Sequence, residues 1–161
     1  AISIIARYFR DKKFNSEEYI TGDNLLFLVE EGSFYVNNGY EEQIIEINNK
    51  HKNSMYLPDV ELPESIKGYI SLEDSLEGVE TVILAVPTKA IREVVKLLNN
   101  ASKNQITIVH VSKGIEPDSL LRITEMIEEE ADPEVVKDVV VLSGRSHAEE
   151  VSLRHPTTVK V

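Results

Sequence analysis

Three short apolar segments in the second half of the chain constrain its fold most, because each is followed by a polar turn and then by a helix-like segment. They are residues 81–86, 106–111 and 139–142. Continuous apolar runs of this length are typical of strands covered on both faces, as in parallel sheets with crossover helices. The sequence therefore predicts an α/β fold built on a doubly wound, mostly parallel sheet.

The remaining elements follow from the same patterning of apolar residues and turn signals. Strands are predicted at residues 2–6, 33–36 and 66–70, with a strand-like tail at 157–161. Helices are predicted at 25–32, 41–49 and 147–153, and further helices are predicted to begin at Ser71, at Pro87 or Thr88, and at Pro117. The segment from His51 to Pro63 holds two prolines and is interpreted as an extended loop.

Charge and composition narrow the class of ligand. The 161 residues carry a net charge of −11. A broad nucleic-acid interface needs clustered lysine and arginine, so we expect none here, whereas a local basic pocket for a small phosphorylated ligand is compatible with this charge. The oligomeric state is left open, and a homo-oligomer is one of the options.

The cysteine and histidine content of the chain predicts neither a metal site nor thiol chemistry. The chain has no cysteine, which excludes disulfides, thiol catalysis and cysteine-based metal sites. The four histidines do not show the spacing of a zinc motif, so no metal site is predicted. His110 is interpreted as a hydrogen-bonded core residue, and the acidic run at residues 128–130 as a solvated helix face.

Neither a membrane span nor a secretion signal is predicted. No apolar stretch approaches the length that crosses a bilayer. The first residues lack the basic, apolar and small-residue order of a signal peptide. We therefore expect a cytoplasmic protein.

The first candidate site is the turn Ser112-Lys113-Gly114, which follows the second apolar segment. Ligands of open α/β sheets bind beyond the carboxyl ends of the strands. A lysine in that place can bring an ammonium group to a phosphate or to a carbonyl oxygen. A solvated surface lysine before a turn glycine explains the same pattern, and the residues alone leave both interpretations open.

The second candidate site follows the third segment, in the turn from Ser143 to His147. It places small residues and two hydroxyl groups before a predicted helix, whose free N–H groups suit an anion or a polar substrate group. Simple N-capping by Ser146 accounts for that serine equally well.

A glycine-rich phosphate loop is missing from its usual place. It should follow the first strand, at residues 7–12, but that segment has no glycine and the first glycine of the chain is Gly22. Only glycine lets the backbone approach a pyrophosphate closely. The sequence therefore predicts weak dinucleotide binding.

From Glu42 onward the chain resembles the N-terminal domain of bacterial-type NAD(P)-dependent glycerol-3-phosphate dehydrogenases. The segments that carry the resemblance are IIEINNKHKNSMYLPDVELPESIKG, VILAVPTKAIREVV, VHVSKGIEPDSLLRITEMIEEE and VVVLSGRSHAEEVSLRHPTTV. The most specific are S-K-G-I-E-P at residues 112–117 and S-G-x-S-x-A-E-E at residues 143–150.

The resemblance implies one Rossmann-like domain over residues 1–161, diverged at 1–41 and without the family's C-terminal helical domain. It implies the cofactor domain of an oxidoreductase that interconverts sn-glycerol 3-phosphate and dihydroxyacetone phosphate with NAD or NADP. The matching positions are Lys113 for both ligands, Gly144 and Ser146 for the substrate, and Val86, Pro87 and Ala148 for the cofactor. No catalytic residue is assigned, since the family's general acid/base lysine lies beyond this segment.

Two hypotheses about function follow. In the first, the chain is the cofactor domain of such a dehydrogenase and is inactive by itself. In the second, it is a non-catalytic α/β interaction module that keeps the scaffold without tight dinucleotide binding. The missing glycine loop favours the second, and Arg145, which stands where the family has proline, is a further departure from the family pattern. Lys113 and Ser146 favour the first.

Overall fold

The computed structural model describes residues 3–6, 32–36, 41–54, 57–144 and 159–160, and the statements below concern these residues. In chain order the strands are β1 (Ser3–Ala6), β2 (Gly32–Val36), β3 (Lys52–Asn53), β4 (Leu57–Glu61), β5 (Ile66–Tyr69), β6 (Thr81–Ala85), β7 (Ile106–His110), β8 (Val136–Val141), β9 (Ser143–Gly144) and β10 (Val159–Lys160). The helices are α1 (Glu41–Lys50), α2 (Leu72–Ser75), α3 (Ile91–Ala101) and α4 (Ile123–Glu130).

A mixed sheet forms the centre of the described residues, with the strand order β5-β2-β1-β6-β7-β8. β2 pairs with β5 in parallel, and β6, β7 and β8 pair in parallel with one another. Helices connect the parallel strands, because a parallel pair needs a crossover rather than a tight hairpin. The predicted α/β fold with a mostly parallel sheet is confirmed.

One strand, β1, runs against the others. It is antiparallel to both β2 and β6, with Ser3 opposite Ala85 and Ala6 opposite Val82. A wholly parallel doubly wound sheet would place the end of β1 beside the ends of β6 and β7. Here the chain leaves β1 at the other edge of the sheet, where β2 and β6 begin.

The core lies between the sheet and the helices that cover it. Val82, Ile83 and Leu84 are successive residues of β6 and all are fully buried, as expected of a central strand covered on both faces. The face predicted for α3, which consists of Ile91, Val94, Val95 and Leu98, is also fully buried. Because its apolar residues recur at helical spacing, this helix could be predicted from the sequence.

The short helix α2 confirms another local prediction. Ser71 is its N-cap, and its hydroxyl oxygen accepts a hydrogen bond of 3.1 Å from the backbone N–H of Asp74. This bond satisfies one of the backbone donors that a helix leaves free in its first turn.

The helix expected from Pro117 begins later, at Ile123, so that prediction is wrong in its start. Arg122 is the N-cap of α4, and its backbone N–H donates to the carboxylate of Glu125 at 2.8 Å. Leu120, expected on the apolar helix face, is 74% exposed with a φ of 58°. The Glu125 carboxylate, which accepts from the backbone N–H and the guanidinium of Arg122, therefore marks the helix start.

The segment between His51 and Pro63 is also more regular than expected. Instead of an extended loop it contains β3 and β4, which pair antiparallel. Asn53 in β3 is buried and accepts a hydrogen bond of 2.9 Å from the Gln43 amide of α1. Burial of this polar pair fastens the strand pair to the helix.

Residues 25–31 of one predicted helix and the whole predicted helix at 147–153 lie outside the described residues, as do Ser146 and Ala148, whereas Gly32, expected to end the first helix, is the first residue of β2. The strand-like tail is confirmed in part, since β10 pairs antiparallel with β9. Within the described ranges no helix has the length and apolar character to cross a bilayer.

We predict that Leu98→Ala lowers the free energy of unfolding by about 2–5 kcal/mol, because it opens a cavity in a fully packed core. Leu97→Ala is the matched control: Leu97 is the preceding residue of α3 and is 36% exposed, so its loss should cost about 1 kcal/mol or less. Urea unfolding of both variants measures the difference. Equal losses would show that α3 does not bury the predicted face.

Candidate functional site

The candidate site lies where β6, β7 and β8 end together. In the register of the sheet His110 is opposite both Leu84 and Val141, so the three parallel strands finish at the same level. The segments that follow them carry Val86, Lys113 and Gly144. This edge is where ligands bind in open α/β sheets.

Ser112 joins the first two of these strand ends. Its hydroxyl donates a hydrogen bond of 2.6 Å to the carbonyl oxygen of Val86 and accepts one of 3.2 Å from the N–H of Val86. Both backbone polar groups of a buried residue are thereby satisfied by one side chain. The sequence shows Ser112 only as part of a turn, and nothing in it indicates this partner 26 residues away.

Thr88 makes a second contact between the same two segments. Its hydroxyl donates a hydrogen bond of 3.1 Å to the carbonyl oxygen of Lys113. The next residue, Gly114, has a φ of 139°, and a Cβ atom placed on it would lie 2.5 Å from the Thr88 oxygen. Glycine is therefore required at this position by both its backbone angle and the space available.

The structure thus brings Val86, Pro87 and Lys113 together, with Lys113 exposed at the edge of the sheet. Gly144 lies at the same edge as part of β9, which follows β8 after Leu142. The backbone N–H of Leu142 donates to the carbonyl oxygen of His110 at 3.0 Å, so this third segment also begins in register with β7.

His110 is the last residue of β7 and lies beneath the site. It is 4% exposed, and its Nε2 atom is 3.1 Å from the hydroxyl of Thr124. Its Nδ1 atom has no hydrogen-bond partner among the described residues, so the interpretation of a hydrogen-bonded core histidine holds for one ring nitrogen. Burial lowers the pKa of His110, because a charged imidazolium is poorly solvated there.

The described residues contain no group of three or more histidine, aspartate or glutamate side chains arranged to hold a metal ion. The polar side chains at these strand ends are Ser112 and Thr88, which bond backbone groups, and the exposed Lys113. A lysine at this edge can attract a small anionic or carbonyl-bearing ligand.

A mostly parallel α/β sheet with helical crossovers and polar turns at one edge defines a Rossmann-type domain. Comparison with known proteins gives the particular family. The sequence model of one protein family, the NAD-dependent glycerol-3-phosphate dehydrogenase N-terminus, matches residues 25–161 of this chain. The chain therefore belongs to this family. The match takes in residues 25–41, so the resemblance extends further toward the N-terminus than Glu42.

Two bacterial relatives show how close the similarity is. The glycerol-3-phosphate dehydrogenase [NAD(P)+] of Halalkalibacterium halodurans is 60% identical over 121 residues, which are 75% of this chain and 35% of that protein. The enzyme of the same name from Bacillus velezensis is 55% identical over 135 residues, or 83% and 39% of the two chains. The chain therefore spans little more than a third of the length of these relatives.

Solved structures agree with this assignment. Glycerol-3-phosphate dehydrogenase from Coxiella burnetii is 30% identical, with a TM-score of 0.65 over 78% of this chain and 37% of that one. The Plasmodium falciparum enzyme, at 20% identity, has a TM-score of 0.69 over 86% of this chain and 39% of that one. The second comparison shows the shared fold alone.

We predict that Gly114→Ala destabilises the domain more than Gly78→Ala. Both residues have positive φ: Gly78, at 69°, lies in the left-handed helical region, which costs an alanine about 1–2 kcal/mol, and Gly114, at 139°, lies outside that region, where the cost to an alanine is larger. At Gly78 a Cβ atom meets nothing within 4 Å among the described residues, whereas at Gly114 it also meets Thr88. Chemical unfolding of the two variants measures the difference, and Thr88→Ala should restore part of the loss in Gly114→Ala. Equal losses would remove the steric argument.

We predict that His110 makes the domain less stable as the solution becomes more acidic. Its pKa is lower in the folded chain than the 6.5 of an unperturbed histidine, so the unfolded state binds the proton more readily. The stability is fully present above 6.5 and is lost as the pH falls from there through the lowered folded pKa. Denaturation at about pH 7.5 and about pH 5.5 should show a smaller change in His110→Gln than in the unsubstituted chain. The same change in both would refute this role.

Proposed function

We propose that this chain is the cofactor-binding domain of an enzyme that interconverts sn-glycerol 3-phosphate and dihydroxyacetone phosphate with NAD(P)H. The observation that carries the proposal is the reciprocal hydrogen bonding between Ser112 and Val86, which sets Lys113 beside the Val86–Pro87 segment. Family membership and identities of 55–60% to relatives with this activity in their names support it.

Lys113 is the residue proposed to contact both ligands. Its ammonium group would attract a phosphate or polarise the reacting carbonyl oxygen. The chain as a whole is strongly acidic, with a net charge of −11, so its average field repels a phosphorylated ligand. Local cations at the edge of the sheet must therefore provide the attraction.

Gly144 and Ser146 are proposed to contact the substrate, and Val86, Pro87 and Ala148 the cofactor. A glycine in β9 leaves the backbone accessible to a ligand. Val86 is buried and has both of its backbone polar groups bonded to Ser112, so the exposed Pro87 that follows it would offer the cofactor the apolar surface.

The dinucleotide fits the described residues only in part. NAD(P)H supplies a hydride when it is bound. Its pyrophosphate normally lies over a glycine loop that follows the first strand. Residues 7–12 contain no glycine, and β1 ends at the edge of the sheet opposite Lys113. We therefore propose that this chain binds NAD(P)H weakly.

The reversed β1 is also what favours a second proposal, a non-catalytic α/β interaction module. Such a module would keep the parallel strands β6, β7 and β8 and the fixed turns at their ends, but would not bind a dinucleotide. Measured affinity for NADH separates the two proposals.

The first proposal also includes a cytoplasmic location and a small phosphorylated substrate. The substrate follows from the activity in the relatives' names. The lack of cysteine among the 161 residues suits the cytoplasm, where thiols are kept reduced and disulfides are rare. Sedimentation analysis would test whether the chain forms a homo-oligomer.

We predict that the chain binds NADH more weakly than micromolar, because the described residues offer no glycine cradle for the pyrophosphate. Isothermal titration calorimetry, with chemical-shift titration for weak binding, measures the affinity. A dissociation constant in the micromolar range or below would contradict the prediction. Complete absence of shifts with both NADH and sn-glycerol 3-phosphate would favour the interaction module.

We predict that Lys113→Ala weakens the binding of sn-glycerol 3-phosphate about tenfold or more, because a charge-assisted contact to phosphate is lost. Lys103→Ala is the matched control, since Lys103 is exposed and precedes β7, at the other edge of the sheet. Chemical-shift titration of both variants gives the two dissociation constants. If Lys113→Ala left the affinity for sn-glycerol 3-phosphate unchanged, the assignment of Lys113 as a ligand contact would be wrong.

A further inference from the structure

One guanidinium group, that of Arg92 in the first turn of α3, gathers three carboxylates among the described residues. It meets Glu116 through two bonds, from Nε to Oε1 at 2.8 Å and from Nη2 to Oε2 at 2.9 Å. It also bonds Glu130 at 2.9 Å and Glu129 at 2.8 Å. The two-bond contact fixes the orientation of Glu116 more closely than a single bond would.

The ion pairs of Arg92 show that the acidic run at residues 128–130 is not wholly solvated, although the sequence predicted a solvated helix face. Glu129 and Glu130 belong to the acidic run that ends α4, and both pair with Arg92. The side chain of Glu130 is only 19% exposed and also lies 3.3 Å from the ammonium of Lys96. The run is therefore partly engaged in ion pairs rather than wholly solvated.

Glu116 differs from the other two carboxylates because it belongs to the loop that carries Lys113. Its N–H donates to the carbonyl oxygen of Leu121, and its own carbonyl accepts from Leu120, both at 2.9 Å. The hydroxyl of Ser119 donates to its carboxylate. Glu116 thus joins the internal hydrogen bonds of the loop to α3.

The same loop is held to the β6–α3 segment at two further points. Ser112 bonds the backbone of Val86, and Thr88 bonds the carbonyl oxygen of Lys113. Lys113 therefore lies between a neutral contact on its N-terminal side and the ionic contact of Glu116 on its C-terminal side.

The ionic contact is partly shielded from water. The side chains of Arg92 and Glu116 are 26% and 20% exposed. The hydrogen bonds from Arg92 and then from Ser119 lower the pKa of Glu116 to about 2. Glu116 is consequently ionised at every pH at which the domain is expected to work.

We propose that Arg92 is a positioning residue for Lys113: by holding Glu116, it fixes the loop of residues 112–122 so that Lys113 stays at the ligand edge of the sheet. Arg92 contacts no ligand itself. The part of this inference that concerns the ligand rests on the proposed function of Lys113.

Hydrogen exchange of the full chain tests the positioning without any ligand. In Arg92→Gln and Glu116→Gln the amides of Glu116 and Leu120 should exchange about tenfold faster, because their loop bonds open more often. Glu129→Gln is the matched control, since it removes one carboxylate from Arg92 but leaves the contact to the loop. In that variant the two amides should exchange as in the unsubstituted chain.

Chemical-shift titration with sn-glycerol 3-phosphate tests the consequence. Arg92→Gln and Glu116→Gln should each raise the dissociation constant about tenfold, and Glu129→Gln should leave it nearly unchanged. The double variant Arg92→Gln/Glu116→Gln should bind no worse than either single variant, because both remove the same contact. Arg92→Lys should recover part of the affinity, since lysine keeps the charge but not the paired bonds.

Loop amides that exchange equally in Arg92→Gln and the unsubstituted chain would overturn the proposal. Glu129→Gln behaving like Glu116→Gln would also overturn it, because Arg92 would then only tie α3 to α4. If Arg92→Gln does not fold, Glu116→Gln decides alone, since it leaves the Arg92 bonds to α4 in place. Failure of the unsubstituted chain to bind would overturn the proposed function and the ligand part of this inference, while the exchange data would still decide the positioning.

Discussion

The parallel pairing of β6, β7 and β8 is the constraint on which the rest of the structure depends. Because these strands finish at one level, the turns that follow them meet at a single edge of the sheet. The hydrogen bonds between Ser112 and Val86 exist only because the strand ends are level.

Two kinds of contact, neutral hydrogen bonds and an ion pair, hold the loop after β7 in place. The bonds from Ser112 and Thr88 join neutral groups, so they fix the backbone next to Lys113 without adding charge. The contact between Arg92 and Glu116 is ionic and two-pronged, and it holds the far part of the loop to α3. In a chain as acidic as this one, a single guanidinium among carboxylates also relieves repulsion between the loop and α4.

The direction of β1 sets this domain apart from the expected arrangement. Membership of the glycerol-3-phosphate dehydrogenase family rests on residues 25–161, and β1 precedes that part of the chain. The reversed strand completes the sheet between β2 and β6. Its carboxyl end lies away from Lys113, whereas a parallel strand would end at the same edge of the sheet as β6 and β7.

The sequence by itself determined the strands around the site, the buried face of α3 and the place of Lys113 at a strand end. These follow from apolar spacing, because the same burial that selects the residues also produces the elements. The tertiary structure alone decided the direction of β1, the start of α4 at Ile123 and the partners of Arg92, which lie 24 to 38 residues away. Such features depend on which distant segments pack together, and a short apolar run or a single charge carries no information about its partner across the fold.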